Sequence, residues 1–164
     1  MKSICLFPLF ALCLLSCNQQ QEDSQKSLQA KIDSLQMTID HAYKPGLGEF
    51  MTSIQVHHEK LWFAGINENW KLADFEIKEI EEDLGDITTY CNDRPEVHFL
   101  PMIDLPLDSL DKAIQQKNSV SFKNNFILLT NTCNSCHQAT KHEFNVIKVP
   151  DAPGVSDQVF KPGT

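Results

Sequence analysis

Ser119-Val-Ser-Phe-Lys-Asn-Asn-Phe-Ile-Leu-Leu-Thr-Asn-Thr-Cys-Asn-Ser-Cys-His137 is the stretch on which the fold turns. Phe122, Phe126, Leu129, Cys133 and Cys136 recur along it at spacings of four, three, four and three. That is the period of an α-helix turning one face to a core, not the alternation of a strand. The helix is expected to begin near Ser119 or Ser121, and its last turn carries two cysteines and a histidine. A helix that buries one stripe needs partners with matching stripes.

Three further helical patterns precede it. One runs from about residue 47 to residue 64, with Phe50, Ile54, His57 and Leu61 on one stripe and Gly65 as its stop. The next covers about 69–90. Leu72, Phe75, Ile80, Leu84 and Ile87 are expected inward, Glu76, Glu79, Glu81 and Glu82 solvated, and Asn67 or Asn69 at its cap. Pro95, Pro101 and Pro106 make 91–106 an irregular crossing, after which a helix capped by Asp108 runs to about residue 117. From residue 143 onward Pro150, Pro153, Gly154, Pro162 and Gly163 give an extended tail laid on the surface. No convincing strand pattern competes, so the expected class is all-α.

At the other end the chain opens Met1-Lys-Ser-Ile-Cys-Leu-Phe-Pro-Leu-Phe-Ala-Leu-Cys-Leu-Leu-Ser-Cys17. One charge, Lys2, precedes an apolar run from Ile4 to Leu15, which is short for a membrane span and has the shape of an export leader. Leu14-Leu15-Ser16-Cys17 resembles the lipobox of bacterial lipoproteins. The resemblance implies cleavage before Cys17, acylation of that cysteine, and a chain held on a membrane surface of the bacterial cell envelope, facing the periplasm or the exterior. Residues 18–27 read as a flexible polar tether. Leu28, Ile32, Leu35, Ile39 and Ala42 then form a two-heptad stripe, suited to packing on the main domain or to a homodimer seam. The expected organisation is a signal peptide over 1–16, anchor, tether and amphipathic helix over 17–44, a helical domain over 45–142 and the tail over 143–164.

The 164 residues carry a formal charge of −8 and no Lys/Arg-rich run, which argues against nucleic-acid binding. Of six cysteines, Cys5 and Cys13 fall in the leader, Cys17 is the lipid site, and Cys133 and Cys136 form one motif. Cys91 is left over and is expected to be a small buried residue.

Cys133-Asn134-Ser135-Cys136-His137 is a C-x-x-C-H sequence, the attachment pattern of a covalent haem c. Residues three apart share a helical face, so both thiols reach one side of a porphyrin and the next residue brings its imidazole to the iron. Cys133 and Cys136 are thus the candidate attachment sites for one haem, and His137 the candidate proximal iron ligand. Two other readings compete. Cys133, Cys136, His137 or His142 with a distant ligand could bind zinc, although the second half of a zinc pattern is missing. A thioredoxin-like C-x-x-C needs a strand–helix setting that a helical chain lacks.

With the motif on the last of four helices, the chain resembles the class II cytochromes c, the cytochrome c prime group. The resemblance covers about residues 47–142 and implies a four-helix bundle, here with an extra N-terminal helix and an extended C-terminal tail. All four methionines (Met1, Met37, Met51, Met102) precede Cys133, so the class I arrangement with a downstream methionine fits poorly. The stretch Gln55-Val-His-His-Glu-Lys-Leu-Trp-Phe-Ala-Gly65 also resembles a small group of bacterial haem lipoproteins. By resemblance the first bundle helix covers the distal face, which makes His57, His58 and Met51 the candidate sixth ligands. Trp62, Phe63, Trp70, Phe122 and Phe126 line the pocket or fill the core. Two axial side chains imply a low-spin electron carrier with a redox protein as partner. An open position implies nitric oxide, carbon monoxide or peroxide chemistry, and absence of haem a structural or zinc-binding lipoprotein. No catalytic triad, phosphate loop or carboxylate pair stands out, so a carrier rather than a catalyst is expected.

Overall fold

The computed structural model describes residues 7–154 and 157–163; the side chains of 7–20, 22 and 40 lie outside the description. The expectations of a cleaved leader and an acylated Cys17 rest on residues 1–6 and on side chains that lie outside the description. The chain divides into two compact units, one ending at Lys44 and the other starting at Pro45.

The first unit is one helix, α1 (Phe7–Asp40). It corrects the flexible tether: residues 18–27 are helical. Gln, Glu, Lys and Ser in that stretch include no Gly or Pro, so nothing in the backbone ends the helix. Leu28, Ile32, Leu35 and Ile39 are each more than half exposed. Among the described residues no helix is long and apolar enough to cross a membrane.

The second unit holds α2 (Leu47–Ile66), α3 (Trp70–Tyr90), a 3-10 segment (Pro95–Met102), α4 (Asp104–Gln115) and α5 (Ser119–Ala139). The described residues contain no strand, and the fold is all-α. Sequential helices pair α2 with α3 and α4 with α5, while α3–α4 and α2–α5 contacts close the ring. Leu61, Ala73, Ile77, Leu110, Phe122 and Phe126 fill its centre and are fully buried. Each large side chain of this kind contributes about 1.5–3 kcal/mol by leaving water.

The helices are joined by tight turns that glycine does not build. Glu68, Lys117 and Lys141 carry positive φ at the residue after the cap of α2, α4 and α5. Behind each, a returning N–H closes the turn: Asn69 to Ala64 O, Asn118 to Ala113 O, and His142 to His137 O. Asn69 and Asn118 then cap the following helices with their side chains.

Four local expectations are corrected. Gly65 lies inside α2, where a Cβ would stand 2.0 Å from Phe122 Cζ; it permits the approach of α5 and does not end the helix. Glu76 is buried and Phe75 is exposed, because the inward face of α3 runs Ala73, Ile77, Ile80, Ile87. The crossing contains a regular 3-10 segment between Pro95 and Met102. Finally, α4 starts at Asp104, so Asp108 is not its cap; Pro106 falls in the first turn, where a missing N–H costs little.

The tail after α5 is pinned to α2. Gly154 N donates to Glu59 Oε1, Phe160 packs on Phe63 at 5.4 Å between ring centroids, and Asn69 Nδ2 donates to Lys161 O.

Candidate functional site

Helices α2 and α5 run antiparallel. Gly65 meets Phe122 at one end and His58 meets Thr130 in the middle; beyond that point the two helices line a cavity of about 190 Å³. Cys133, Cys136 and His137 line it from α5, and Met51 and His58 from α2. Ile54, Ile80, Leu84, Leu100, Ile103 and Leu129 make the remaining wall largely apolar, while Asn145 and Ile147 close it from the tail. Alone it falls below the roughly 300 Å³ at which small-molecule sites begin. It shares Gln55, His58 and Ile147 with a second cavity of about 470 Å³, and Met51, Cys136 and His137 with a third of about 290 Å³. Together these form a broad slot between two helices and a strap.

The two thiols are free. Burial pushes Cys133 up to about 11, with the neighbouring Cys136 adding to the effect. Cys136 is raised too, first by burial and then by Glu96. Both are neutral thiols near pH 7, not thiolates.

His137 Nδ1 lies 2.6 Å from Asn145 O. A carbonyl can only accept, so Nδ1 carries the proton and Nε2 is left with its lone pair free to bind a metal. The tail segment bearing Asn145 is held by Asn134, whose Nδ2 donates to Ile147 O at 2.8 Å while its Oδ1 accepts from Ile147 N at 2.8 Å.

His58 is buried, its ring tilted against Phe126 at 4.4 Å between centroids, with Nε2 2.9 Å from Thr130 Oγ1. Thr130 gives its own proton to Phe126 O, so His58 Nε2 donates and Nδ1 keeps its lone pair. Desolvation pulls His58 down to about 4, which keeps the imidazole neutral.

His57 is placed elsewhere. Its Nδ1 sits 2.7 Å from Glu76 Oε2 between α2 and α3, and it does not line the cavity. Its presence explains how Glu76 can be buried, since a buried carboxylate needs a donor. Trp62, Phe63, Trp70, Phe122 and Phe126 form core and do not line the slot; Trp62 packs at a tilt on Phe126 at 4.9 Å and Trp70 meets Phe122 edge-on. Asn134, Thr130, Asn145 and Ile147 are the site residues that sequence reasoning missed. Thr130 had a signal, because it falls one turn after Phe126 on the inward stripe. The variable position held by Asn134 gave none.

The arrangement offers two thiols, one imidazole with a free Nε2, and a second neutral imidazole across an apolar slot. Among the described residues no three His, Cys, Asp or Glu side chains converge as a cage for a bare metal ion. A flat apolar group with its own metal, anchored through sulfur, fits this donor set better than a naked ion does. Compared with protein-family models, curated proteins and solved structures, the chain matches none.

Proposed function

We propose that the chain is a c-type cytochrome of four-helix, cytochrome c prime-like architecture that carries one haem and passes single electrons to a redox protein at a membrane surface. The observation that carries this reading is the convergence of Cys133, Cys136, His137 and His58 on one apolar slot. When bound, haem supplies a one-electron iron couple. Cys133 and Cys136 would anchor the group covalently through their sulfurs, both of which line the slot. His137 would hold the iron through Nε2, the nitrogen left free by the bond of Nδ1 to Asn145 O. His58 is our choice of sixth ligand over Met51 and His57, because it is buried in the slot, neutral, and already fixed in one tautomer by Thr130. The apolar wall excludes water and keeps reorganisation small during electron exchange. Acylation at Cys17 and the polar start of the mature chain keep the domain close to a membrane.

The test is expression of the full chain in a host that attaches haem c. Pigment should stay with the polypeptide through acid–acetone extraction. The reduced protein should be low-spin and take up carbon monoxide slowly or not at all. Colourless extracted protein sinks the cytochrome reading. Rapid carbon monoxide uptake overturns the six-coordinate carrier in favour of gas binding.

A further inference from the structure

The geometry points to the C-terminal strap as the element that positions the proximal histidine, with Asn134 as its clamp. The inference deepens the haem reading and rests on it for its redox consequence, though the positioning itself belongs to the polypeptide.

Asn134 occupies a variable position of C-x-x-C-H, between the two anchoring thiols. Its amide bonds both polar groups of Ile147, as a neighbouring strand would. This fixes the strap in register two residues after Asn145, whose carbonyl accepts the Nδ1 proton of His137. The strap cannot easily shift. Val149 packs against the core, Gly154 N is bonded to Glu59, and Phe160 is seated on Phe63. His137 sits in the last turn of α5 and is not itself buried, so core packing alone does not orient its ring. The hydrogen bond to Asn145 O fixes both ring direction and tautomer, and an outer partner of this kind orients a histidine toward a metal it binds. Asn134 is thus a positioning residue: it acts on His137 through the strap.

The experiment uses the full chain in two forms. Without attached haem, nitrogen-resolved NMR reads the His137 tautomer and amide exchange reads Ile147. In the parent, His137 should be the Nδ1–H form and Ile147 protected. Asn134→Leu should shift His137 toward the Nε2–H form that free imidazole side chains favour. It should also speed Ile147 exchange by about 10-fold or more, the loss expected for two partners left unbonded. Phe126 and Leu129 amides in the middle of α5 should be unchanged, which separates the local effect from unfolding. Asn134→Asp, which keeps the acceptor for Ile147 N–H, should give a smaller change of the same kind and serves if the leucine variant does not fold. In the haem-loaded form, Asn134→Leu should retain covalent pigment but shift the reduction potential. Unchanged tautomer and exchange in both variants overturn the inference. A parent chain without pigment overturns the proposed function, and the tautomer result then still decides whether the strap positions His137.

Discussion

Acidifying the haem-free chain should destabilise it through one residue, His58. The imidazole is 5% exposed, packed against Phe126 and bonded to Thr130, and burial lowers it from 6.5 to about 4. In the unfolded chain it takes a proton as pH falls below its ordinary value; in the folded chain it resists until about 4. Between those limits the unfolded state binds more protons, so stability falls as pH falls. The contribution is fully present above about pH 6.5, is lost through that window, and levels off below about pH 4. The size follows from the shift and is about 3 kcal/mol in all. Carboxylates also titrate in the lower part of this range, so the parent must be compared with His58→Gln, which holds no titratable group there. Urea unfolding followed by circular dichroism from about pH 7.5 to pH 4 gives both curves. The parent should lose about 2–3 kcal/mol more than the variant across the window. Parallel curves would refute the buried neutral imidazole, and with it the pre-set lone pair on which the choice of sixth ligand rests.

Other substitutions test the frame around the slot. Thr130→Val keeps the shape but strips His58 Nε2–H of its acceptor, and should cost about 1–3 kcal/mol in urea unfolding near neutral pH. Gly65→Ala gains about 1 kcal/mol of helix propensity. It must also displace the buried Phe122 ring, 2.0 Å away, so the net should be a loss of about 1–2 kcal/mol. Gly85→Ala, in the middle of α3 with nothing within 4 Å of the new Cβ, should stabilise by up to about 1 kcal/mol in the same assay. Lys141→Gly relieves a φ of 63° at the turn after α5 and should stabilise by about 0.5–1 kcal/mol.

Much of this frame was legible in the residues. The stripe Phe122–Phe126–Leu129 is buried in α5 as its spacing requires, and Asn69 is the cap that one of two candidates had to be. The phase of α3 was misjudged at a single step. Phe75 to Ile80 is a gap of five, whereas Glu76 to Ile80 is four, and strict helical phase puts the glutamate inside. Hydrophobicity favoured the phenylalanine, because the donor that makes a buried Glu76 tolerable sits nineteen residues away on another helix. The stripe that put His57 inward beside Ile54 and Leu61 is corrected too: His58, on the neighbouring stripe, is the histidine that lines the slot. Phe50 to Ile54 to His58 and Ile54 to His57 to Leu61 are equally good helical runs, and adjacent residues on a helix lie about 100° apart. Which one faced the slot depended on where α3 packed. Pro and Gly mark the tail as extended, but its attachment to Asn134 leaves no trace in the sequence, since a side-chain amide pairing with a distant backbone has no periodicity.

The slot itself is a consequence of unequal side-chain size along one antiparallel helix pair. At Gly65 the absence of a Cβ lets the Phe122 ring lie directly against the α2 backbone. Two turns along, His58 and Thr130 fill the gap with a hydrogen bond in place of interlocked hydrocarbon. Two further turns on, Met51 and Gly48 face Cys136 and His137 across a space that neither helix fills, and Asn145 and Ile147 from the tail complete the wall. Close packing at one end thus forces opening at the other, because helices are stiff rods and a core leaves few voids without a reason. An apolar opening of this kind in water would favour collapse; the strap prevents it by lying over the slot while tied to Asn134 and Glu59. In the cytochrome proposed above, the wedge would give room for a flat group, with the buried histidine at its middle and the thiols and His137 at its open end, where the strap reaches them.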